Sequence, residues 1–535
     1  MSSSEEDDHS AHGIAESFDP PFNMPVVFKR AAADLSARHE ATTDDQQSSD
    51  IPDIYGPDEG SPYPETEIEK QIQSRIKADI LRSKLNYSDP FDEVHDRYGF
   101  RRQTAKISLD QYNAWWKEYR PYIQRRERKW QNSMSEVGLY HKDTTNPPTR
   151  FPPRSSKVTR YIRKGIPAAW RGNAWFWYAQ GPQYLAKHPG LYDFLWKRAF
   201  ANHNRDAEVI ERDSHRTFPD NLLFANHNQT DDESPMISAL RRVLLAYSEY
   251  MPATGYCQSL NFLAGVFLIF SDEEKAFWML VIITQKYLPG MHDENLEGAN
   301  IDQGVLMISV KDTLPTVWSK IGMGFDGFSA DQVRETTDSA GATSLDDKEL
   351  LTHSRASTEF IRKLPPITLS TTSWFMSGFI GTLPFESVVR IWDCFFYEGS
   401  KVFFRIALTI LKSCEPESNA SSDPIDVFQT VQDVPKSMVD PNYSSTSCFK
   451  RNNGFGHISE AEVRARRMYV SEIRRRSSRG QLGLNRNGNT PSDQNFQQWD
   501  NKMYKFQKRS NSPLSHGSPL RLRMHRSKLA ADNHT

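Results

Sequence analysis

The chain has 535 residues, 37% of them apolar and 25% charged, with 66 Lys and Arg against 68 Asp and Glu and a formal net charge of -2. That length could hold more than one domain, but Ser-, Asn-, Asp- and Pro-rich stretches at both ends describe one folded core with solvated flanks. The longest apolar run, Phe262 to Phe270, falls well short of the ~20 residues a bilayer helix needs, and the four cysteines (Cys257, Cys394, Cys414, Cys448) form no CxxC pair, so free thiols and no structural zinc are expected.

Residues 1–70 carry 17 Asp and Glu against 4 Lys and Arg. Like charges repel in any compact state, so residues 1–89 are expected to form a disordered acidic tail. The start, MSSSEEDDHS, is acidic where a secretory signal needs a basic and then an apolar run, and synthesis into the cytosol is expected. A helical N-terminal extension is predicted over 90–140. Within Ser108 to Trp130, Tyr112, Trp115, Trp116, Tyr119, Tyr122 and Ile123 fall at helical spacing, and Pro121 is expected to kink or break that helix. Residues 141–159, opening HKDTTNPPTRFPPRSS, read as a proline-rich connector and a domain boundary.

From 160 to 412 helix signals follow one another with almost no strand-like alternation, which predicts an all-α fold. Leu240, Val243, Leu244 and Tyr247 make a stripe over Met236 to Tyr250, stopped by Pro252, and a second helix is predicted over Tyr256 to Phe270. Ser271-Asp-Glu-Glu274 has capping-box spacing and opens a helix to about Tyr287. Pro384 and Gly399 punctuate a helix over Leu383 to Glu398, and another spans Lys401 to Ser413. The polar run 324–358, DSAGATSLDDKE included, interrupts this series and reads as an insertion loop.

A C-terminal extension, 413–480, ends in a basic helix from about Glu460 to Arg476, and 481–535 is expected to be a disordered basic tail. Ala461 to Thr535 carries 16 Lys and Arg against 5 Asp and Glu. The plain reading of this asymmetry is two solvated ends. The sharper one is peripheral contact of the basic tail with an anionic membrane, with Arg474-Arg-Arg-Ser477-Ser478 as a basophilic kinase site that would weaken it. No module for nucleic acid is recognisable, and no nucleic-acid partner is expected.

Three local patterns could carry chemistry. The chain contains no GxxxxGK[ST] loop, GxSxG elbow, HExxH helix or kinase HRD/DFG pair, so it is not expected to bind its own nucleotide. In Lys164 to Trp175, Arg171 and Trp175 are four apart, and the guanidinium could stack over the indole; taken alone, this is a packing device. In Ile210 to Pro219, Asp213 and Arg216 are three apart, placing a carboxylate beside a guanidinium; taken alone, this is an ordinary surface ion pair, and His215 is exposed and incidental. In Gly255 to Phe262, Gln258 stands at the start of a strongly apolar helix, where its amide can project from a rigid mount or simply be a polar residue at a helix start.

In this order and within one helical region, the patterns resemble the TBC domain of Rab GTPase-activating proteins. The resemblance covers about Arg160 to Lys412: IPxxxRGxxW is Ile166 to Trp175, IxxDxxRT is Ile210 to Thr217, and YxQ is Tyr256-Cys257-Gln258, with Trp374-Phe375 and Arg390-Ile-Trp-Asp393 ahead of Glu398-Gly399. It implies an all-α, multi-helix TBC-type domain that activates a GTP-bound Rab-family GTPase in trans, Arg216 acting as an arginine finger and Gln258 as a glutamine finger. By the same resemblance Asp213 would orient Arg216, with Thr217 beside it. Tyr256 would help mount Gln258, and Arg171 with Trp175 would brace the finger-bearing segment. No cofactor of the chain's own is implied, since GTP and Mg2+ belong to the partner GTPase. A cytoplasmic protein, peripheral on endomembranes, is expected. Ser259-Leu260 stands where many members have Gly-Met. The alternative is a non-catalytic Rab-binding scaffold or effector on the same fold.

Overall fold

A computed structural model describes residues 65–322 and 361–481, apart from 86, 142–145, 203, 226–232, 362 and 422. The predicted insertion 324–358 lies outside the described residues. So do 1–64 and 482–535, which hold most of both predicted tails.

The described residues are helical and contain isolated β-bridges but no strand. In chain order the helices are α1 (Glu65–Ser83), α2 (Leu109–Glu136), α3 (Ser156–Arg163), α4 (Arg171–Tyr178), α5 (Gly181–Lys187), α6 (Leu191–Ala201) and α7 (Ala207–His215). Then come α8 (Pro235–Tyr250), α9 (Leu260–Phe270), α10 (Glu273–Ile282), α11 (Glu297–Thr313), α12 (Pro315–Ile321) and α13 (Thr368–Met376). The series closes with α14 (Phe385–Glu398), α15 (Lys401–Ala420), α16 (Pro424–Asp433), α17 (Pro441–Phe449) and α18 (Glu460–Gln481).

Two groups of helices share one core. In the first, α8 lies at the centre and packs against α1, α6, α7, α9 and α10; in the second, α15 packs against α11, α12, α14, α16 and α17. Helix α14 joins them by packing on α3 and α4, and α4 also meets α9. The residues explain these positions. In α9, Leu260, Leu263, Val266, Phe267, Leu268 and Ile269 are all buried, so the helix is apolar all round and belongs between layers.

Several expectations need correction. Residues 65–83 were expected to be disordered, yet they form α1, because Ala78 is buried and the Gln71 side chain accepts from buried Arg242 at 2.6 Å. Pro121 does not break α2, which runs on through Glu136. The proline is exposed, and its missing backbone donor costs one bond while Trp116, Tyr119, Arg126, Trp130 and Met134 hold the helix down by burial. Residues 141–159 do not separate two bodies. Tyr98, Trp130, Met134 and Phe151 belong to the same core as α4 and α14, and the Trp130 indole donates to the Gly165 carbonyl at 2.8 Å.

The cap of α10 is Asp272, whose side chain accepts from the Lys275 amide, rather than Ser271, whose hydroxyl donates back to Phe267. The basic helix expected from about Glu460 to Arg476 is present and runs on to Gln481. This is α18, in which Arg467 pairs with Asp302 at 2.6 Å, Arg474 with Glu297 at 2.9 Å, and Arg475 and Arg476 with Glu472. Among the described residues no helix is long and apolar enough to cross a membrane.

Candidate functional site

Arg216 caps the C-terminal end of α7, where Thr217 and the positive-φ Phe218 turn the chain away. Its guanidinium is half exposed and meets the Asp213 carboxylate at 2.7 Å, while Asp213 itself is buried. A buried carboxylate at this place fixes the base of a cation whose tip remains in solvent.

Gln258 lies in the turn ahead of α9 and is exposed. Immediately after it, Ser259 takes φ 93°, left-handed backbone that suits glycine, and its hydroxyl donates to the Met376 carbonyl at 3.2 Å. The same carbonyl accepts from buried His292 at 3.0 Å, and burial pushes the pKa of that imidazole down to about 4, so it stays neutral. Ser259 is therefore a strained position with a compensating hydrogen bond.

The two segments are tied together. The Tyr256 amide donates to Asp206, just ahead of α7, at 2.8 Å, and its hydroxyl donates to Asp213, near the end of α7, at 2.7 Å. Burial, and then the bond to Asp213, pushes the pKa of this phenol far up, so it remains a donor. Tyr256 was expected to help mount Gln258; its hydroxyl reaches the carboxylate that holds Arg216.

Asn261 supplies a second tie, and sequence reasoning gave it no role. Fully buried, it accepts from the Ser259 amide at 3.1 Å and donates to the Thr217 hydroxyl at 2.7 Å, while Thr217 donates to the Asp213 carbonyl at 2.7 Å. One side chain thus touches the residue after Gln258 and the residue after Arg216. The available signal was a lone amide in the first turn of an otherwise apolar helix. Close packing completes the mount: a Cβ added at Gly265 would lie 2.7 Å from the Phe218 ring, so the segment after Arg216 rests directly on α9.

Arg171 and Trp175 do not stack on each other. Their four-residue spacing aims both at Asp393, which accepts from the Arg171 Nε at 3.2 Å, the Trp175 indole at 2.9 Å and the Ile166 amide at 3.0 Å. Arg171 also bonds the Tyr98 hydroxyl and lies 3.5 Å from Glu386, which takes Arg97 at 2.7 Å and the Tyr119 hydroxyl at 3.0 Å. Burial works to raise the Glu386 pKa, but Arg97 and Arg171 overcome it and hold it at about 2. The network reaches the arginine segment through Asn221, which donates to the Tyr98 carbonyl at 3.0 Å. A Cβ at Gly172 would lie 2.1 Å from the Phe270 carbonyl, so α4 and the end of α9 meet backbone to backbone. The pair therefore lies in the packed layer behind the site.

His215 is half exposed and within 2.9 Å of Glu211. Glu211, His215 and Glu233 converge closely, but Arg241 already pairs with both carboxylates, so the cluster is an ion-pair group. Burial pushes the Cys257 thiol up to about 11, away from the reactive thiolate form. Beside Gln258 opens a groove of about 1010 Å3, walled by Phe100, Trp115, Phe218, Phe262 and Ile380.

Two exposed side chains, one cationic and one an amide, are thus presented from a shared buried mount beside an apolar groove. Comparison with known proteins places that mount in a family: residues 169–328 and 350–418 match the Rab-GTPase-TBC domain. The chain is 37% identical over 476 residues to the Saccharomyces cerevisiae GTPase-activating protein MSB4, covering 81% of this chain and 92% of that one. The chain belongs to the Rab-GTPase-TBC domain family. The Saccharomyces cerevisiae GTPase-activating protein GYP3 is 42% identical over 422 residues, which span 72% of this chain and 65% of that protein's length. Among solved structures, the Chlamydomonas flagellar RabGAP TBC domain matches 67% of this chain and 100% of its own, at 23% identity and a TM-score of 0.49. The match to the TBC family model begins at residue 169, after α1, α2 and α3.

Proposed function

We propose that this chain accelerates GTP hydrolysis by a GTP-bound Rab-type small GTPase, and through it acts on membrane traffic. GTP and Mg2+ come with the partner, which docks across the groove and brings its nucleotide site to Arg216 and Gln258. Hydrolysis develops negative charge on the equatorial and leaving oxygens, and a positioned guanidinium stabilises that charge without moving a proton. Gln258 orients the attacking water. Asp213 orients Arg216, and Tyr256, Thr217 and Asn261 keep the two segments in register. Basic charge in residues 482–535 is the part of the tail left to touch an anionic membrane, since the basic residues paired within α18 are engaged.

The observation that carries this reading is the hydrogen-bonded tie between the Arg216 and Gln258 segments through Tyr256 and Asn261. The names of the two yeast relatives, both called GTPase-activating proteins, support it. Single-turnover GTP hydrolysis across a panel of Rab proteins tests it. Acceleration by the wild type should fall by about 10³-fold or more in Arg216→Ala, and Gln258→Ala should reduce the rate more than the affinity. A Rab that binds tightly yet hydrolyses GTP at its intrinsic rate would favour the scaffold reading instead.

A further inference from the structure

Behind Glu386, on the side away from the finger groove, lies a second and smaller pocket of about 120 Å3 between α2, the residues ahead of α4, and α14. Five cationic side chains line it: Arg97, Arg126, Lys164, Arg171 and Arg390. Two buried carboxylates are available to them. Glu386 takes Arg97 and Arg171, and Asp393 takes Arg171. Arg390 spends its Nη2 on the Tyr119 hydroxyl at 2.8 Å and its Nη1 on the Asn442 amide oxygen at 3.3 Å, both neutral groups. Arg126 has the Tyr161 carbonyl at 3.2 Å and the face of the Tyr161 ring. Both Arg126 and Arg390 are buried, and the Nε of each lacks any hydrogen-bond partner. The one carboxylate at the mouth, Glu127, is exposed.

This arrangement is costly as it stands. A buried guanidinium N–H without an acceptor forfeits its hydration, and an excess of like charge in a low dielectric repels itself. Water entering the pocket could satisfy the N–H groups but could not neutralise the charge. An oxyanion does both. The small volume admits a phosphate group and excludes a nucleoside, and a dianion with several acceptor oxygens matches cations that converge from three sides.

We propose that this pocket binds a phosphate monoester, with Arg126, Lys164 and Arg390 as its primary contacts. Arg97 and Arg171 form its charged floor and connect it through Glu386 to the wall of the finger groove. The site depends on neither finger residue. Arg97, Arg126 and Lys164 all precede the residues matched to the family domain.

The ligand's phosphate can be free or carried on a lipid headgroup, and the experiment separates the two. The full chain is melted in rising inorganic phosphate against sodium chloride of equal ionic strength. In parallel, it is sedimented with phosphatidylcholine vesicles containing either a phosphatidylinositol monophosphate or phosphatidylserine at matched charge. Saturable stabilisation by phosphate is expected, with an apparent affinity at least about tenfold weaker in Arg126→Gln and in Lys164→Gln. Lys164 is exposed, so its variant decides the matter if Arg126→Gln misfolds. Retention on phosphoinositide vesicles that exceeds retention on phosphatidylserine, and is lost in Lys164→Gln, identifies a headgroup as the source; stabilisation by phosphate with no such preference identifies a free one. The proposal is overturned if millimolar phosphate leaves the melting temperature at its chloride value and the two vesicles bind equally. It is equally overturned if both variants keep the wild-type response.

Discussion

The Tyr256 hydroxyl donates to the Asp213 carboxylate at 2.7 Å across 43 residues of sequence, so the residue that begins the Gln258 turn also holds the base of Arg216. Removing the hydroxyl alone should loosen the arginine without disturbing the fold. For Tyr256→Phe we expect kcat for GTP hydrolysis to fall about tenfold while KM for the GTPase changes little. Stability should drop by about 1–2 kcal/mol, because buried Asp213 loses a donor. Single-turnover kinetics and urea unfolding measure the two separately. An unchanged kcat would take this tie out of catalysis.

Ser259 offers a test of backbone strain. At φ 93° a serine is strained by about 1 kcal/mol or more, and its bond to the Met376 carbonyl offsets part of that. Ser259→Gly relieves the strain and loses the bond, and its stability should stay within about 1 kcal/mol of wild type. Ser259→Ala keeps the strain and loses the bond, and should be the less stable variant by about 1–2 kcal/mol. Equal stability of the two in urea unfolding would show that the left-handed geometry carries no cost here.

Asp96 gives the fold a pH dependence. Its carboxylate accepts the Tyr98 and Phe100 amides at 2.9 Å, yet burial outweighs these bonds and pushes its pKa up to about 7. Because the folded value exceeds the unfolded one of about 3.9, its contribution is fully present below about pH 4 and is lost as pH rises through 7. The melting temperature should therefore decline between pH 5 and pH 8. Asp96→Asn, which can still accept both amides and carries no charge, should flatten that decline. An equal decline in wild type and variant would assign it to other groups.

The helical class of this chain, most of its element positions and its three motifs can be read from periodicity and short patterns, because α8 and α14 bury apolar faces that leave a 3.6-residue imprint. Pro121 and residues 65–83 misled local reasoning for one physical cause. A proline or a run of charge is unfavourable where it sits, but contacts made across the fold, Trp130 to the Gly165 carbonyl and Arg242 to Gln71, supply the compensation.

The candidate site divides in the same way. Sequence by itself singled out Arg216, Gln258 and the neighbouring Asp213 as candidates through their resemblance to family motifs, and it predicted the all-α scaffold from helical periodicity. Tertiary structure alone decided that the Tyr256 hydroxyl meets Asp213, that Asn261 joins the two segments, that Arg171 and Trp175 converge on Asp393, and that Arg97 and Arg171 meet at Glu386. Each of these is a polar contact between segments far apart in the chain. Burial makes such contacts obligatory, but no local periodicity records which partner satisfies them.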